Sequence, residues 1–341
     1  MPLAQVKGQE RAVATLLRAL AGQRLHHAYL FAGPDGVGKS LAARGLAEAL
    51  LCHTPAPDQD ACGHCHACVR TRQLAHPDLQ VLRRREKESS SASGDAALEQ
   101  QIKIEQVREL QQTLSYKSFE GKRRVVLILE ADRMNPATSN ALLKTLEEPG
   151  PDTHFALVSS APHLLLPTIL SRCQRVRFAP LDRSLVAEFI AAQADVDRPH
   201  ADLLAGLAEG SIGKGLALAG STLLTDRESL IERADDPDAK RHIPQLLELA
   251  EELAGKKGEL PLFFQILRTW YRDLLLLHAG VVTDKLVHRD LAGRLQQRAA
   301  ALSQTEVLAR LERINQTERG IEGAANARLS LETLLLRLAE G

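Results

Sequence analysis

His27-Ala-Tyr-Leu-Phe-Ala-Gly33-Pro-Asp-Gly-Val-Gly38-Lys39-Ser40 sets the architecture of the N-terminal half. Its closing G-x-x-x-x-G-K-S is a P-loop pattern. Gly33, Gly36 and Gly38 let the backbone bend so that successive N–H groups face phosphate oxygens. In such a loop Lys39 reaches the β- and γ-phosphates, and the Ser40 hydroxyl ligates Mg²⁺. The flanks agree. His27–Ala32 reads as a strand, and Ala42, Gly45, Leu46, Ala49 and Leu50 recur at helical spacing. Strand, loop and helix in that order predict an α/β nucleotide-binding domain, with ATP and Mg²⁺ as candidate ligands.

Outward from this motif, short β-like runs alternate with helical patterns from about residue 10 to 180. The runs are Leu79–Leu82, Val125–Leu129 and His154–Ser160. Such alternation predicts a parallel sheet with flanking helices. Val125–Leu129 (VVLIL) is an apolar block without alternation, as a central strand buried on both faces requires. The acids that follow it, Glu130 and Asp132, are candidates for the second element of a P-loop ATPase, an acid near Mg²⁺. The alternative is a buried strand with solvated acids at its end. Residues 88–97 (ESSSASGDAA), just after the charged run 83–87 (RRREK), read as a solvated surface loop.

Beyond Pro180 the strand signals stop. Residues 181–221 give short helical segments broken by Pro199 and by Gly210-Ser-Ile-Gly213, and residues 222–341 read as long helices. Phe263, Ile266, Leu267, Trp270, Tyr271 and Leu274 form one apolar helical face, and Leu331, Leu334, Leu335 and Leu338 repeat the spacing. The expectation is three parts: an α/β domain at 1–180, a small helical domain at 181–221 and an all-helical domain at 222–341.

The chain has 341 residues, with 43 basic and 43 acidic side chains, so any nucleic-acid contact must come from a local patch. No signal-peptide run and no membrane-length apolar segment is visible, so a cytoplasmic location is expected. Four of the five cysteines, Cys52, Cys62, Cys65 and Cys68, fall within residues 52–68. Paired C-x2-C spacings deliver two thiolates per turn, and four soft ligands suit tetrahedral Zn²⁺. A set of four thiolates leaves no open coordination position, so the expected zinc is structural.

Two long strings complete the pattern: Asn140-Ala-Leu-Leu-Lys-Thr-Leu-Glu-Glu-Pro149 and Pro167-Thr-Ile-Leu-Ser-Arg-Cys173. With the P-loop and cysteine cluster in this order, the chain resembles the bacterial clamp-loader ATPases of the DNA polymerase III holoenzyme, of the AAA+ class. Val6-Lys-Gly-Gln9 resembles that family's adenine-side motif, and Asn326-Ala-Arg-Leu329 also matches. The resemblance implies a AAA+ P-loop domain, a helical lid (181–221) and an oligomerising helical collar (222–341). It also implies that Ser171-Arg172-Cys173 carries an arginine finger, Arg172, acting in trans. Ser159 and Ser160 then stand where the family keeps a polar sensor.

Within that family the chain looks more like the delta-prime type than the catalytic gamma/tau type. Leu129-Glu130 stands where gamma/tau has Asp-Glu, and Gly213 stands where an Arg would contact the γ-phosphate, with only Lys214 adjacent. The implied work is to help load the sliding clamp onto primer–template DNA, beside gamma/tau and delta subunits in a pentameric ring. DNA would be held by its phosphates, without sequence specificity. Weak or no hydrolysis by this chain is expected. The alternatives are a gamma/tau-type ATPase with Glu130 as base, or an adaptor that binds no nucleotide.

Overall fold

The computed structural model describes residues 1–85, 99–120, 123–236 and 241–340. The expected loop at 88–97 lies outside them. The chain divides into two compact units, Met1–Asp182 and Arg183–Gly341.

The first unit is built on a five-stranded, all-parallel sheet in the order β2-β3-β4-β1-β5. The strands are β1 (Ala28–Ala32), β2 (Leu79–Leu82), β3 (Arg124–Ile128), β4 (Thr153–Ser159) and β5 (Gln174–Arg177). Every residue of β1 and β3 is buried, which explains their unbroken apolar character. Val126 and Ile128 of β3 share a core with Leu30 of β1, Phe155 and Leu157 of β4, and Leu142 and Leu146 of α5 (Pro136–Glu147). After α1 (Glu10–Ala21), α2 (Lys39–Leu51) and α3 (His66–Arg72), α4 (Ile104–Ser115) adds Val107 and Leu110 to that core. Asn135 caps α5 by accepting from the Thr138 amide, and Pro136 opens it where no N–H is needed.

β5 has no counterpart among the expected strands. It is a short edge strand with only Val176 buried, so it carries no apolar run to read. It pairs with β1 and carries the chain from Cys173 to Phe178 beside the phosphate loop.

The second unit is helical among the described residues. α7 (Arg183–Ala194), α8 (Arg198–Leu207) and α9 (Ile212–Leu218) pack together at its start. α10 (Thr222–Thr225) and α11 (Arg227–Ala234) follow, then α12 (Ile243–Gly255), α13 (Leu260–His278), α14 (Ala292–Ala301), α15 (Gln304–Glu322) and α16 (Ala327–Glu340). The apolar faces read from the sequence are all inside, Trp270 and Tyr271 on α13 and Leu331, Leu334, Leu335 and Leu338 on α16 included. Buried Asp235 accepts from Trp270 Nε1, the Tyr271 hydroxyl, both arms of Arg298 and Arg310 Nη1, at 2.7–3.0 Å. A fully hydrogen-bonded carboxylate of this kind gives the helical core a fixed arrangement.

Candidate functional site

The phosphate loop leaves β1 and enters α2 (Lys39–Leu51). Gly33 accepts no substitute: a Cβ there would lie 2.3 Å from the Phe178 carbonyl oxygen. Gly36 (φ 70°) and Gly38 (φ 98°) hold the left-handed backbone that turns amide groups into the loop. Gly38 caps α2, whose first turn contains no acid to compete with a phosphate. Gln9, buried, braces the loop by donating to the Val37 and Ala179 carbonyls. Lys39 is buried, donates to the Pro34 carbonyl and lies 3.6 Å from Asp35 Oδ1. Burial lowers its pKa, and the Asp35 charge partly offsets that. Positive-φ glycines, a helix N-terminus and an enclosed ammonium fit the phosphates of a nucleotide. The loop backbone, Lys39 and Ser40 would hold them.

The acids past β3 have separate partners. Glu130 adopts φ 56°, and both its oxygens take hydrogen bonds from Arg84, Nε over 2.8 Å and Nη2 over 2.5 Å. Ser40, Leu82, Arg84, Leu129 and Glu130 line one cavity of about 760 Å³. Asp132 instead accepts from the Ser160 amide over 3.1 Å, and its charge raises the pKa of Lys39. Ser159 is buried at the end of β4, and its hydroxyl has no hydrogen-bond partner among the described residues. Lys39, Asp132 and Ser160 therefore form one electrostatic group, and Ser40 and Glu130 share a cavity. Arg84 lies in the charged run 83–87, which matches no site motif. Only the position of β2 beside β3 brings it to Glu130.

Arg172 follows α6 (Pro167–Leu170) and is one-third exposed, at 32%. Its Nη1 donates to the Thr168 carbonyl over 2.8 Å, and its Nη2 is 2.5 Å from Glu147 Oε1.

The four clustered cysteines converge as expected. Sγ separations are 3.6 Å for Cys52–Cys62 and 3.9 Å for both Cys52–Cys65 and Cys62–Cys68. All four sulfurs lie within 4.8 Å of one another. A tetrahedron with metal–sulfur bonds of about 2.3 Å has edges of about 3.8 Å, so the set fits an ion bound by four thiolates. Backbone amides of Cys62, Cys65 and Cys68 point at the Sγ of Cys52, Cys62 and Cys65, over 3.4–3.5 Å. The Thr54 hydroxyl and then the His64 amide pull Cys62 down to about 5, whereas burial pushes Cys68 up. Gly63 (φ 78°) makes the turn between ligands.

His53, His76 and Glu120 also bring ligand atoms within 4.8 Å of one another. The chemistry of His76 argues against a second ion. Its Nδ1 accepts from the Asp78 amide over 3.1 Å, so its Nε2, 3.7 Å from Glu120 Oε2, carries the proton and has no lone pair to give.

No helix among the described residues is long and apolar enough to cross a membrane. The profile described as "DNA polymerase III, delta subunit" matches residues 8–182, and "DNA polymerase III, delta subunit, C terminal" matches 221–340. The chain is 36% identical to DNA polymerase III subunit tau of Escherichia coli across 75% of this chain, but only 38% of that one. Similarity to two delta-prime subunits runs nearly the full length of both partners. Identity is 28% to that of Bacillus subtilis over 98% of this chain and 97% of the relative. It is 33% to that of Pseudomonas aeruginosa over 94% of each. With matching profiles at both ends and end-to-end similarity, the chain belongs to the DNA polymerase III delta-prime subunit family.

Proposed function

We propose that this clamp-loader subunit holds nucleotide in its own phosphate loop, turns it over slowly at most, and lends Arg172 to the ATP site of a neighbouring gamma/tau subunit. The observation that carries this reading is the Arg84–Glu130 pair. Both oxygens of the candidate base are held by Arg84, so the carboxylate is oriented on a guanidinium instead of on an attacking water. Leu129 supplies no oxygen for Mg²⁺ where gamma/tau would place its Asp. Arg172, in contrast, stands at the surface with guanidinium donors to spare. A guanidinium brought to a transferring phosphoryl group stabilises the charge that develops there.

Zn²⁺ is the proposed occupant of the four-cysteine set, with a structural role. It ties α3 (His66–Arg72), which follows Cys65, to the end of α2 at Cys52. Residues 181–221 are proposed as the helical lid and 222–341 as the collar that joins delta and gamma/tau subunits in a five-membered ring. The ring would open the sliding clamp and place it on primer–template DNA, gripping DNA phosphates in a salt-dependent way. The Ser159 hydroxyl and the Ser160 amide are the proposed sensor of bound phosphate.

Steady-state ATP hydrolysis, by this chain alone and by the reconstituted loader, tests the reading. The chain alone should show little Lys39-dependent turnover, while nucleotide binding by calorimetry should require Lys39. Arg172→Ala should reduce hydrolysis by the loader and leave nucleotide binding by this chain intact. Brisk Lys39-dependent turnover by the isolated chain would instead make it a self-sufficient ATPase, and loss of all nucleotide binding would make it an adaptor.

A further inference from the structure

Arg172 is held by an acid that helix energetics disfavour. Glu147 is the last residue of α5 and is followed by Glu148. Negative charge there meets the negative end of the helix dipole, where a cation is the stabilising choice. α5 has one basic residue in its last turn, Lys144, yet Glu147 is 2.5 Å from Arg172 on the neighbouring α6 turn. That turn is itself pinned, with the Ser171 amide donating to Pro167 and the Arg172 amide to Ile169. The guanidinium is therefore clamped on two sides, by the Thr168 carbonyl through Nη1 and by Glu147 through Nη2.

We propose that Glu147 is a positioning residue that holds the Arg172 guanidinium in place on the α6 turn, part-exposed, for a phosphate of the adjoining subunit's nucleotide. The proposal rests on the trans role of Arg172 given above. A finger acts through pre-organisation, since its charge must already be placed when the phosphoryl group moves. Glu147 is 47% exposed and Arg172 is 32% exposed, so the pair is screened and weak enough to yield to a polyphosphate. A buried acid would have sequestered the arginine. An exposed one orients it and gives way.

The test is ATP hydrolysis by the reconstituted loader carrying Glu147→Gln, Arg172→Ala or both, with kcat and KM measured separately. Glu147→Gln should lower kcat by about threefold to tenfold with KM for ATP unchanged, as a misplaced catalytic group does. Glu147→Lys, which repels the guanidinium, should lower it further. In the Arg172→Ala background neither change should have any added effect. If Arg172→Ala lowers kcat while both Glu147 variants behave as the parent, the positioning role is wrong and the finger stands. A Glu147 effect that persists without Arg172 also overturns it. If Arg172→Ala has no effect, the trans reading itself fails, and the positioning role with it. Unchanged unfolding midpoints would show that exposed position 147 is not acting through stability.

Discussion

Arg84 grips both carboxylate oxygens of Glu130, with Nε donating to Oε2 and Nη2 to Oε1. On the function proposed above, two residues limit hydrolysis at this phosphate loop: the arginine that holds the acid, and Leu129, whose side chain offers Mg²⁺ no oxygen. Arg84→Ala alone, or Leu129→Asp alone, should leave ATP turnover by the isolated chain within about threefold of the parent. Together they should raise it at least about tenfold, a modest part of the ~10²–10⁴ that a positioned base supplies. Lys39→Ala should abolish the gain. A full gain from either single change would show that one defect, not two, limits the site.

The four-cysteine set should hold one zinc per chain by metal analysis after dialysis, with no thiol of the set titratable until a chelator is added. Cys65→Ser, or chelation, should lower the unfolding midpoint by about 5 °C or more, since loss of a metal cross-link costs at least about 2–3 kcal/mol. His76→Ala should leave the zinc content at one. A second equivalent of zinc that disappears with His76 would contradict the tautomer that the Asp78 amide imposes.

Gly33 and Gly38 separate two reasons for a glycine. Gly33→Ala places a Cβ 2.3 Å from a backbone oxygen of Phe178, which has no rotamer to move into. It should cost more than about 2 kcal/mol in urea unfolding, beyond typical overpacking, because backbone must shift. Gly38→Ala meets only Val6 at 3.8 Å but must adopt φ 98°. Its cost should be about 1–2 kcal/mol, with nucleotide binding lost as the cradle opens. Equal costs would argue against the close approach of the Phe178 turn.

Where the sequence carried a periodic or motif signal, the structure follows it. Strands β1 to β4 appear within one or two residues of the runs at 27–32, 79–82, 125–129 and 154–160, and the cysteines close on one another. The failures share a cause, which is dependence on partners far along the chain. β5 buries only Val176 and exists because β1 offers it an edge. Arg84 acquires meaning only when β2 lies beside β3, and Asp235 only when α13, Arg298 and Arg310 surround it. Glu147 and Arg172 lie in two strings that each looked decisive alone, but the contact between them is tertiary.

Acid stability of the helical unit should turn on His288. This imidazole is fully buried, with Nδ1 accepting from Arg227 Nη1 over 2.7 Å and Nε2 donating to Thr269 Oγ1 over 2.9 Å. Burial first, and the Arg227 charge second, lower its pKa from 6.5 to about 3. The unfolded chain thus binds this proton below about pH 6.5 while the native state refuses it until about pH 3. Unfolding free energy should therefore decrease as pH is lowered through that window, by up to about 1.4 kcal/mol per pH unit. Asp273, whose carboxyl is pushed up by burial, acts in the opposite sense: as pH falls it is protonated first in the native state, which recovers some stability. Urea titrations of the parent and of His288→Gln between about pH 7 and 4 should show a shallower slope in the variant, whatever its stability at neutral pH. Parallel slopes would mean that Arg227 moves aside and lets the buried imidazole titrate normally.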